Sequence, residues 1–245
     1  MRTLNPQPMH GLHATPHQSR AFARCELLAL LMAVALLLVV TWPALAGLGS
    51  RSERVVCLTN LKRIGQAFLL WGEDHGNQRP FRTHQSQGGT WGDIRVGNVW
   101  YEFAWISNEL ATPRILACPS DEETTRVARD FSNQADGGFL HFNYRNNAVS
   151  YYLGTDAFPE QPARALSGDR NIAVDGRNVA CSALLINVAS VSFLSTTAGW
   201  TNGIHHFSGN LLFNDGSVQE TTVREFRVRV PAANDNGTDH LLLPR

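Results

Sequence analysis

A histidine and an aspartate near the carboxyl end of the chain are the first residues whose types and spacing could do chemistry. His205 precedes Asp215 by ten residues, and such a pair could bind a metal ion or move a proton. Asp215 is followed by Gly216, however, and lies between the apolar run 211–213 and a second run of alternating residues. Because glycine tolerates the positive φ of a tight turn, this pattern predicts a β-hairpin turn and no catalytic or metal role for the pair.

A second possible chemistry lies near the amino terminus, where Phe22 precedes Glu26 by four residues. A peptidase cut between Ala21 and Phe22 would create a free α-amine one helical turn from this carboxylate. Residues 27–50 then contain no charged residue and no histidine, a longer run than the ~18 residues that a transmembrane helix needs. Since a carboxylate beside hydrocarbon needs a partner, we expect the amine of Phe22 to be that partner.

This amino-terminal pattern resembles that of type IV prepilins and pseudopilins. Members of that family have a short polar leader, then Phe, then Glu four residues later, and a long apolar helix that bends at a proline. Here the leader would be residues 1–21, and Pro43 occupies the position of the helix kink. The resemblance implies cleavage after Ala21 by a prepilin peptidase, N-methylation of Phe22 and a role for Glu26 in assembly.

Further segments resemble pseudopilin-like proteins of planctomycete and verrucomicrobial bacteria. Residues 57–67 match the pattern C-x-x-N-L-x-x-I-G-x-A of those proteins, and His205 with Asp215-Gly216 matches their H-x9-D-G motif. Residues 118–121 (Cys-Pro-Ser-Asp) and 167–171 (Ser-Gly-Asp-Arg-Asn) also resemble landmarks of the same family. The resemblance implies a pilin-like α+β fold, in which a long amino-terminal helix is followed by a mostly antiparallel β head.

The amino terminus allows two other interpretations. An ordinary secretory signal peptide has a small-residue cleavage site after its apolar core, and residues 44–46 (Ala-Leu-Ala) would supply one. The apolar run is longer than such a core, and Glu26 would have no role in it. An uncleaved membrane anchor is the second alternative.

Composition excludes one class of partner. The chain has 21 basic and 21 acidic residues, so its formal net charge is zero, whereas nucleic-acid binding requires a basic surface. The sequence also contains no nucleophile elbow, Walker loop, dinucleotide fingerprint or H-E-x-x-H helix. We therefore expect neither a nucleic-acid-binding protein nor an enzyme, and we expect no cofactor.

Three of the four cysteines would face an oxidising compartment if the chain follows the prepilin route. Because three is an odd number, at most one internal disulfide forms. We predict that Cys57 pairs with Cys118 and ties the long helix to the head, leaving Cys181 free. The alternative is that all three are small buried hydrophobic residues. Their spacing does not match a zinc motif, so no metal site is expected.

Calcium binding in the carboxy-terminal loop is a lesser possibility, because related major pseudopilins carry calcium in a carboxylate loop. Asp235 and Asp239, with Asn234 and Asn236 beside them, are the candidate oxygen ligands. Their spacing is not that of an EF-hand, so a solvated loop is the preferred interpretation.

The helix that must position the amino-terminal groups is expected to continue beyond the apolar run, to about Trp71. Leu61, Ile64, Phe68 and Trp71 recur at helical spacing, with polar residues between them, which predicts an amphipathic helix whose apolar face is covered. We therefore divide the chain into four parts. They are a leader (1–21), a transmembrane half of the helix (22–50), an amphipathic half (51–74) and an α+β head (75–245).

Within the head, local patterns predict several further elements. Residues 101–110 have the pattern of a second helix, ending before a proline, and residues 114–117 that of a short strand. Residues 149–153 and 184–193 are rich in β-branched and aromatic residues and are predicted to be strands.

Together these features predict a pseudopilin-like structural subunit. It would lie in the inner membrane as a single-pass protein with an extracytoplasmic head, and it would assemble with other pilin or pseudopilin subunits. The filament would belong to a type II secretion or type IV pilus system. The alternative is a membrane-anchored head of prepilin ancestry that binds a ligand and forms no filament.

Overall fold

The computed structural model describes residues 24–95, 97–123, 126–173, 188–192, 198–230 and 238–244. Side chains at 25, 40–50, 188–192 and 238–239 lie outside that description. The chain divides into two compact units, Met1–Gly47 and Leu48–Arg245.

Helix α1 spans Arg24–Asp74. Within the first unit, residues 27–39 form what we call the apolar segment. Its large apolar side chains are all exposed, from 45% at Val34 to 74% at Met32. The expected transmembrane half, residues 22–50, falls partly outside the described residues. Among the residues that are described, no helix is both long and apolar enough to cross a membrane.

In the second unit, residues 57–71 of α1 form what we call the packed segment. Leu61, Ile64 and Phe68 are completely buried and Trp71 is nearly so, while the polar side chains between them are exposed. The prediction of an amphipathic helix with a covered stripe is therefore confirmed. The helix ends at Asp74, two residues before Gly76, whose φ is +63°.

The remaining helices are short. The α-helices are α2 (Val99–Trp105), α3 (Ser107–Leu110) and α4 (Val223–Arg229). Four 3₁₀ helices span Pro80–Arg82, Gln85–Gln87, Pro113–Leu116 and Arg145–Ala148.

Six of the eight described strands form one antiparallel sheet in the order β4-β8-β1-β2-β6-β7, and β3 pairs with β5 separately. Their bounds are β1 (Tyr151–Gly154), β2 (Ala165–Asp169), β3 (Ile172–Ala173), β4 (Val188–Ser192), β5 (Gly199–Trp200), β6 (Ser208–Phe213), β7 (Val218–Thr222) and β8 (Thr238–Leu242). The predicted α+β class with a mostly antiparallel sheet is confirmed.

The large sheet separates two hydrophobic cores. Because side chains alternate along a strand, Tyr151 and Leu153 belong to the core that contains the packed segment. Tyr152 and Leu211 face the other core, which contains Phe226 of α4. The head therefore buries one face of its sheet against α1 and the opposite face against α4.

Gly65 permits the closest approach between helix and sheet. A Cβ atom at this position would lie 2.7 Å from Leu212 Cδ1 of β6, which is shorter than a normal contact. The glycine of the C-x-x-N-L-x-x-I-G-x-A segment thus lets β6 pack directly on the helix backbone.

Two of the local predictions in the head need correction. Residues 114–117 do not form a strand, because Pro113 begins a 3₁₀ helix and the Thr112 hydroxyl accepts a hydrogen bond from the Arg114 backbone amide. Residues 101–110 form two short helices instead of one, with the break at Ile106. Strands β1 and β4 lie where strands were predicted, with shifted ends.

Candidate functional site

The predicted assembly residues at the amino end are only partly described. Ala21 and Phe22, the predicted cleavage and N-methylation site, lie outside the described residues. Glu26 lies in the first turn of α1 and is exposed. Pro43 lies within the span of α1, and its side chain is outside the description.

Position 26 is followed by ten exposed large apolar side chains between 27 and 39. Soluble monomers rarely expose a continuous apolar surface of this kind, and such surfaces normally mark contact with protein or lipid. The apolar segment is therefore the first candidate functional surface, and Glu26 is the acidic residue at its amino-terminal end.

The second candidate site is a buried cluster built around a disulfide. Cys57 of α1 is bonded to Cys118, with their Cα atoms 5.1 Å apart, so the predicted pair forms. The bond closes a sequence separation of 61 residues and joins the packed segment to the loop after the third 3₁₀ helix. His205 lies against this disulfide, with its Nε2 atom 3.8 Å from Cys118 Sγ.

Asp169, the last residue of β2, lies beside the same imidazole. Its Oδ2 atom is 3.5 Å from His205 Nε2, and both side chains are almost fully buried. The backbone and side-chain amides of Asn210 donate to Oδ2 at 2.7 and 2.9 Å. Among the described residues, no donor reaches Oδ1. The cluster thus contains a buried carboxylate with one unsatisfied oxygen.

Burial sets the charge of both groups. It raises the pKa of the Asp169 carboxyl to about 7, although the hydrogen bonds from Asn210 oppose the rise. Burial also lowers the pKa of His205 to about 4, and the nearby Arg54 guanidinium acts in the same direction. Between these pH values both groups are uncharged, so their contact is not an ion pair.

The loop that carries His205 is held by α1. Arg54 donates from Nη2 to the His205 carbonyl oxygen at 2.8 Å and also forms an ion pair with Glu220 of β7. The next two residues, His206 and Phe207, both have positive φ. The segment before β6 is therefore a turn, in which His205 is buried and His206 is exposed.

Asp215 and Gly216 form the tight turn between β6 and β7, as the sequence predicts. Gly216 has φ +82°, and the Asp215 carboxylate accepts a hydrogen bond from the Ser217 backbone amide at 2.8 Å. The six residues of β6 separate this turn from His205, a distance of about 20 Å along an extended strand. The two ends of the H-x9-D-G motif therefore do not form one site.

The candidate calcium ligands are mostly outside the described residues. Asn234, Asp235 and Asn236 belong to that part, and Asp239 lies in β8. Its neighbour His240 contacts Asp156, with 2.6 Å between His240 Nδ1 and Asp156 Oδ2. The end of the expected loop is thus an inner strand of the large sheet.

Sequence reasoning did not identify Asp169, Asn210 and Arg54 as neighbours of His205. These residues lie 36, 5 and 151 positions away in the chain, and no local pattern connects them. The segment Ser167-Gly168-Asp169-Arg170-Asn171 did resemble a landmark of the bacterial family. That resemblance was the available signal, although it gave no role to the aspartate.

Comparison with protein-family models, with curated proteins and with solved structures finds no match for this chain.

Proposed function

We propose that this chain is a pseudopilin-like structural subunit, cut between Ala21 and Phe22 by a prepilin peptidase and held in the inner membrane. The proposed product is a filament of a type II secretion or type IV pilus system. One observation carries the proposal. The apolar segment exposes ten large apolar side chains directly after Glu26. Glu26 itself lies four residues after Phe22, and prepilins have their assembly glutamate at this spacing.

Exposed apolar area is the physical reason for assembly. Each large aliphatic side chain that is moved out of water contributes roughly 1.5–3 kcal/mol. The apolar segment can obtain this energy in lipid before assembly and against neighbouring subunits afterwards. Charged groups beside hydrocarbon pair with one another, and pairing between Glu26 and the amine of Phe22 would define how subunits align.

The head supports the proposal through its attachment to α1. The packed segment is buried against the sheet, and the disulfide joins Cys57 to Cys118. A subunit that transmits force along a filament needs a helix that does not separate from its head. Burial and a covalent bond both provide such an attachment.

Cross-linking in membranes tests this proposal with a matched pair of variants. Glu26→Ala should leave the protein in the membrane fraction and abolish the ladder of cross-linked multimers, because the amine of Phe22 loses its partner. Glu73→Ala removes an exposed carboxylate near the other end of α1 and should preserve the ladder. Multimers at the normal level in Glu26→Ala would overturn the assembly role.

A membrane-anchored ligand-binding head is the second candidate function, and one cavity in the head is its candidate site. The cavity has a volume of about 230 Å³ and is lined by polar groups that include Asp121, Arg170 and Asn171. This is smaller than the ~300–1,000 Å³ of typical ligand sites, and Arg170 is already paired with Asp121 at 2.7 Å. This candidate predicts a chain that gives no multimers under any cross-linking condition.

A further inference from the structure

Three atoms of the kinds that bind zinc lie together in the head, although their residues are far apart in the chain. The sulfur atoms of Cys57 and Cys118 and a ring nitrogen of His205 are all within 4.8 Å of one another. They come from α1, from the loop after the third 3₁₀ helix and from the turn before β6. The two sulfur atoms are bonded to each other in this structure.

The separations between these atoms are close to those of a tetrahedral zinc site. Bond lengths of about 2.3 Å to sulfur and 2.0–2.2 Å to nitrogen or oxygen place sulfur and nitrogen ligands about 3.6 Å apart, and nitrogen and oxygen about 3.4 Å apart. The observed distances are 3.8 Å from Cys118 Sγ to His205 Nε2 and 3.5 Å from that nitrogen to Asp169 Oδ2. The sulfur pair is too close, by about 2 Å, because of its covalent bond. Asp169 is not among the three residues whose ligand atoms are all within 4.8 Å of one another, so its carboxyl group would have to move toward the sulfur atoms to bind the same ion.

Asp169 supplies an independent observation that points to a ligand. Its side chain is completely buried, and among the described residues its Oδ1 atom has no hydrogen-bond donor. A buried carboxylate oxygen without a donor is costly, so such atoms need an explanation. The oxygen beside the imidazole is Oδ2, which accepts two hydrogen bonds from Asn210. A cation in the cluster would satisfy Oδ1 when the carboxyl group turns this oxygen toward it.

One of the four residues, Cys118, lines a cavity at the surface of the head. A cavity of about 370 Å³ opens beside Cys118 and is also lined by Ala117, Pro119 and Asn60. A small reductant and a hydrated metal ion could both enter a space of this size.

We propose that, when its disulfide is reduced, this cluster binds one zinc-type divalent metal ion through Cys57, Cys118, His205 and Asp169. A thiol or phosphine reductant supplies two electrons, and two protons are taken up as the S–S bond breaks and two thiols form. The metal ion then displaces both thiol protons and bonds to two thiolates. The imidazole nitrogen and the carboxylate oxygen complete four-coordination.

The metal ion and the disulfide are therefore alternative links between α1 and the head. The oxidised chain has no thiolate at this position and binds no metal there. The reduced chain retains a link between the packed segment, the loop of Cys118 and the turn of His205. A newly exported subunit would thus keep its helix and head joined before oxidation.

Cobalt(II) titration of the full-length chain in detergent tests the proposal. The background is a Cys25→Ser, Cys181→Ser variant, so that only the cluster can provide thiolates. After reduction by a phosphine, one equivalent of cobalt should give the intense visible absorption of tetrahedral cobalt bound to thiolate. Zinc should displace the cobalt, and the oxidised protein should give no such absorption.

Two histidine variants provide the matched control. His205→Ala should weaken binding of the metal by more than about tenfold, because even the loss of a group that only hydrogen-bonds to a metal ligand costs about that much. His206→Ala should bind as the background does. Asp169→Asn should weaken binding without abolishing the thiolate absorption. The proposal is overturned by absence of that absorption in the reduced chain, by a reduced chain that loses its far-ultraviolet circular dichroism, or by equal affinity in both histidine variants.

Discussion

The apolar segment and the packed segment of α1 are both rich in leucine, yet they differ in what surrounds them. Leu36 in the apolar segment is 70% exposed, whereas Leu61 in the packed segment is completely buried. In the packed segment, apolar residues recur at helical spacing between charged ones, and the sheet of the head covers them. In the apolar segment, no charged residue interrupts the run.

This difference indicates which kind of surface can cover the apolar side chains of each segment. A periodic stripe is matched to one covering surface, which the same chain provides through β1, β2 and β6. A uniformly apolar helix is suited to surroundings that are apolar on every side, such as lipid or a bundle of identical helices. The apolar face of the packed segment is buried when the head folds, and we propose that the apolar segment is buried when subunits assemble.

Truncating one leucine in each segment provides the largest contrast. Leu61→Ala should lower the free energy of unfolding of the head by about 2–5 kcal/mol, because it leaves a cavity in the core. Leu36→Ala should change it by less than about 0.5 kcal/mol, because its side chain is already exposed. Chemical denaturation of the full-length variants in detergent measures both values. Equal losses would contradict the contrast between the segments.

The pH dependence of stability tests whether the carboxyl group of Asp169, at the end of a strand of the sheet that covers the packed segment, is buried. The pKa of Asp169 is about 7 in the folded chain and 3.8 in its reference state. Its stabilising contribution is therefore present below about pH 4 and lost as pH rises to about 7. Relative to the wild type, Asp169→Asn should gain roughly 2–4 kcal/mol between pH 4 and pH 8, about three pKa units.

His205 has the opposite effect, since its folded pKa is below its reference value. Because its imidazole contacts Asp169, the comparison is repeated in a His205→Ala background, which removes this contribution from both proteins. A flat difference for Asp169→Asn would show that the carboxylate is not buried as described.

The hairpin turn gives the smallest expected effect. Gly216 has φ +82°, and a Cβ atom there would lie 3.2 Å from Leu69 Cδ1 of the packed segment. Gly216→Val should therefore lower the free energy of unfolding by about 1 kcal/mol or more, through backbone strain and crowding. Ser217→Val, at an exposed neighbouring position, should have little effect. Thermal melts of the two variants decide the point, and identical melting temperatures would refute the turn assignment.

Features encoded by local pattern could be predicted from the sequence. The stripe of Leu61, Ile64, Phe68 and Trp71 follows from helical periodicity, and the Asp215-Gly216 turn follows from the φ that glycine permits. The 3₁₀ helix at Pro113–Leu116 was missed because a short apolar run does not distinguish strand from helix, and the cap provided by Thr112 decided the outcome.

Features that depend on tertiary contact could be predicted only in part. The pairing of Cys57 with Cys118 is one of three that the cysteines after residue 50 allow, and it was predicted because it would tie the long helix to the head. The position of His205 against that disulfide could not be predicted. Asp169 is brought to His205 by the register of β2 and β6, and Arg54 is brought to it by the packing of α1. The spacing of His205 and Asp215 raised a paired role, which the turn pattern at Asp215-Gly216 argued against, and the structure places Asp215 at the far end of β6.

Sequencing the amino terminus of the protein from the membrane fraction tests the central claim most directly. The claim is that the apolar segment belongs to a processed, pseudopilin-like subunit. It predicts a mature chain that begins at Phe22, carries an N-methyl group and has lost residues 1–21. A chain that begins at Met1, or one that begins near Gly47 after an ordinary signal-peptide cut, would contradict it.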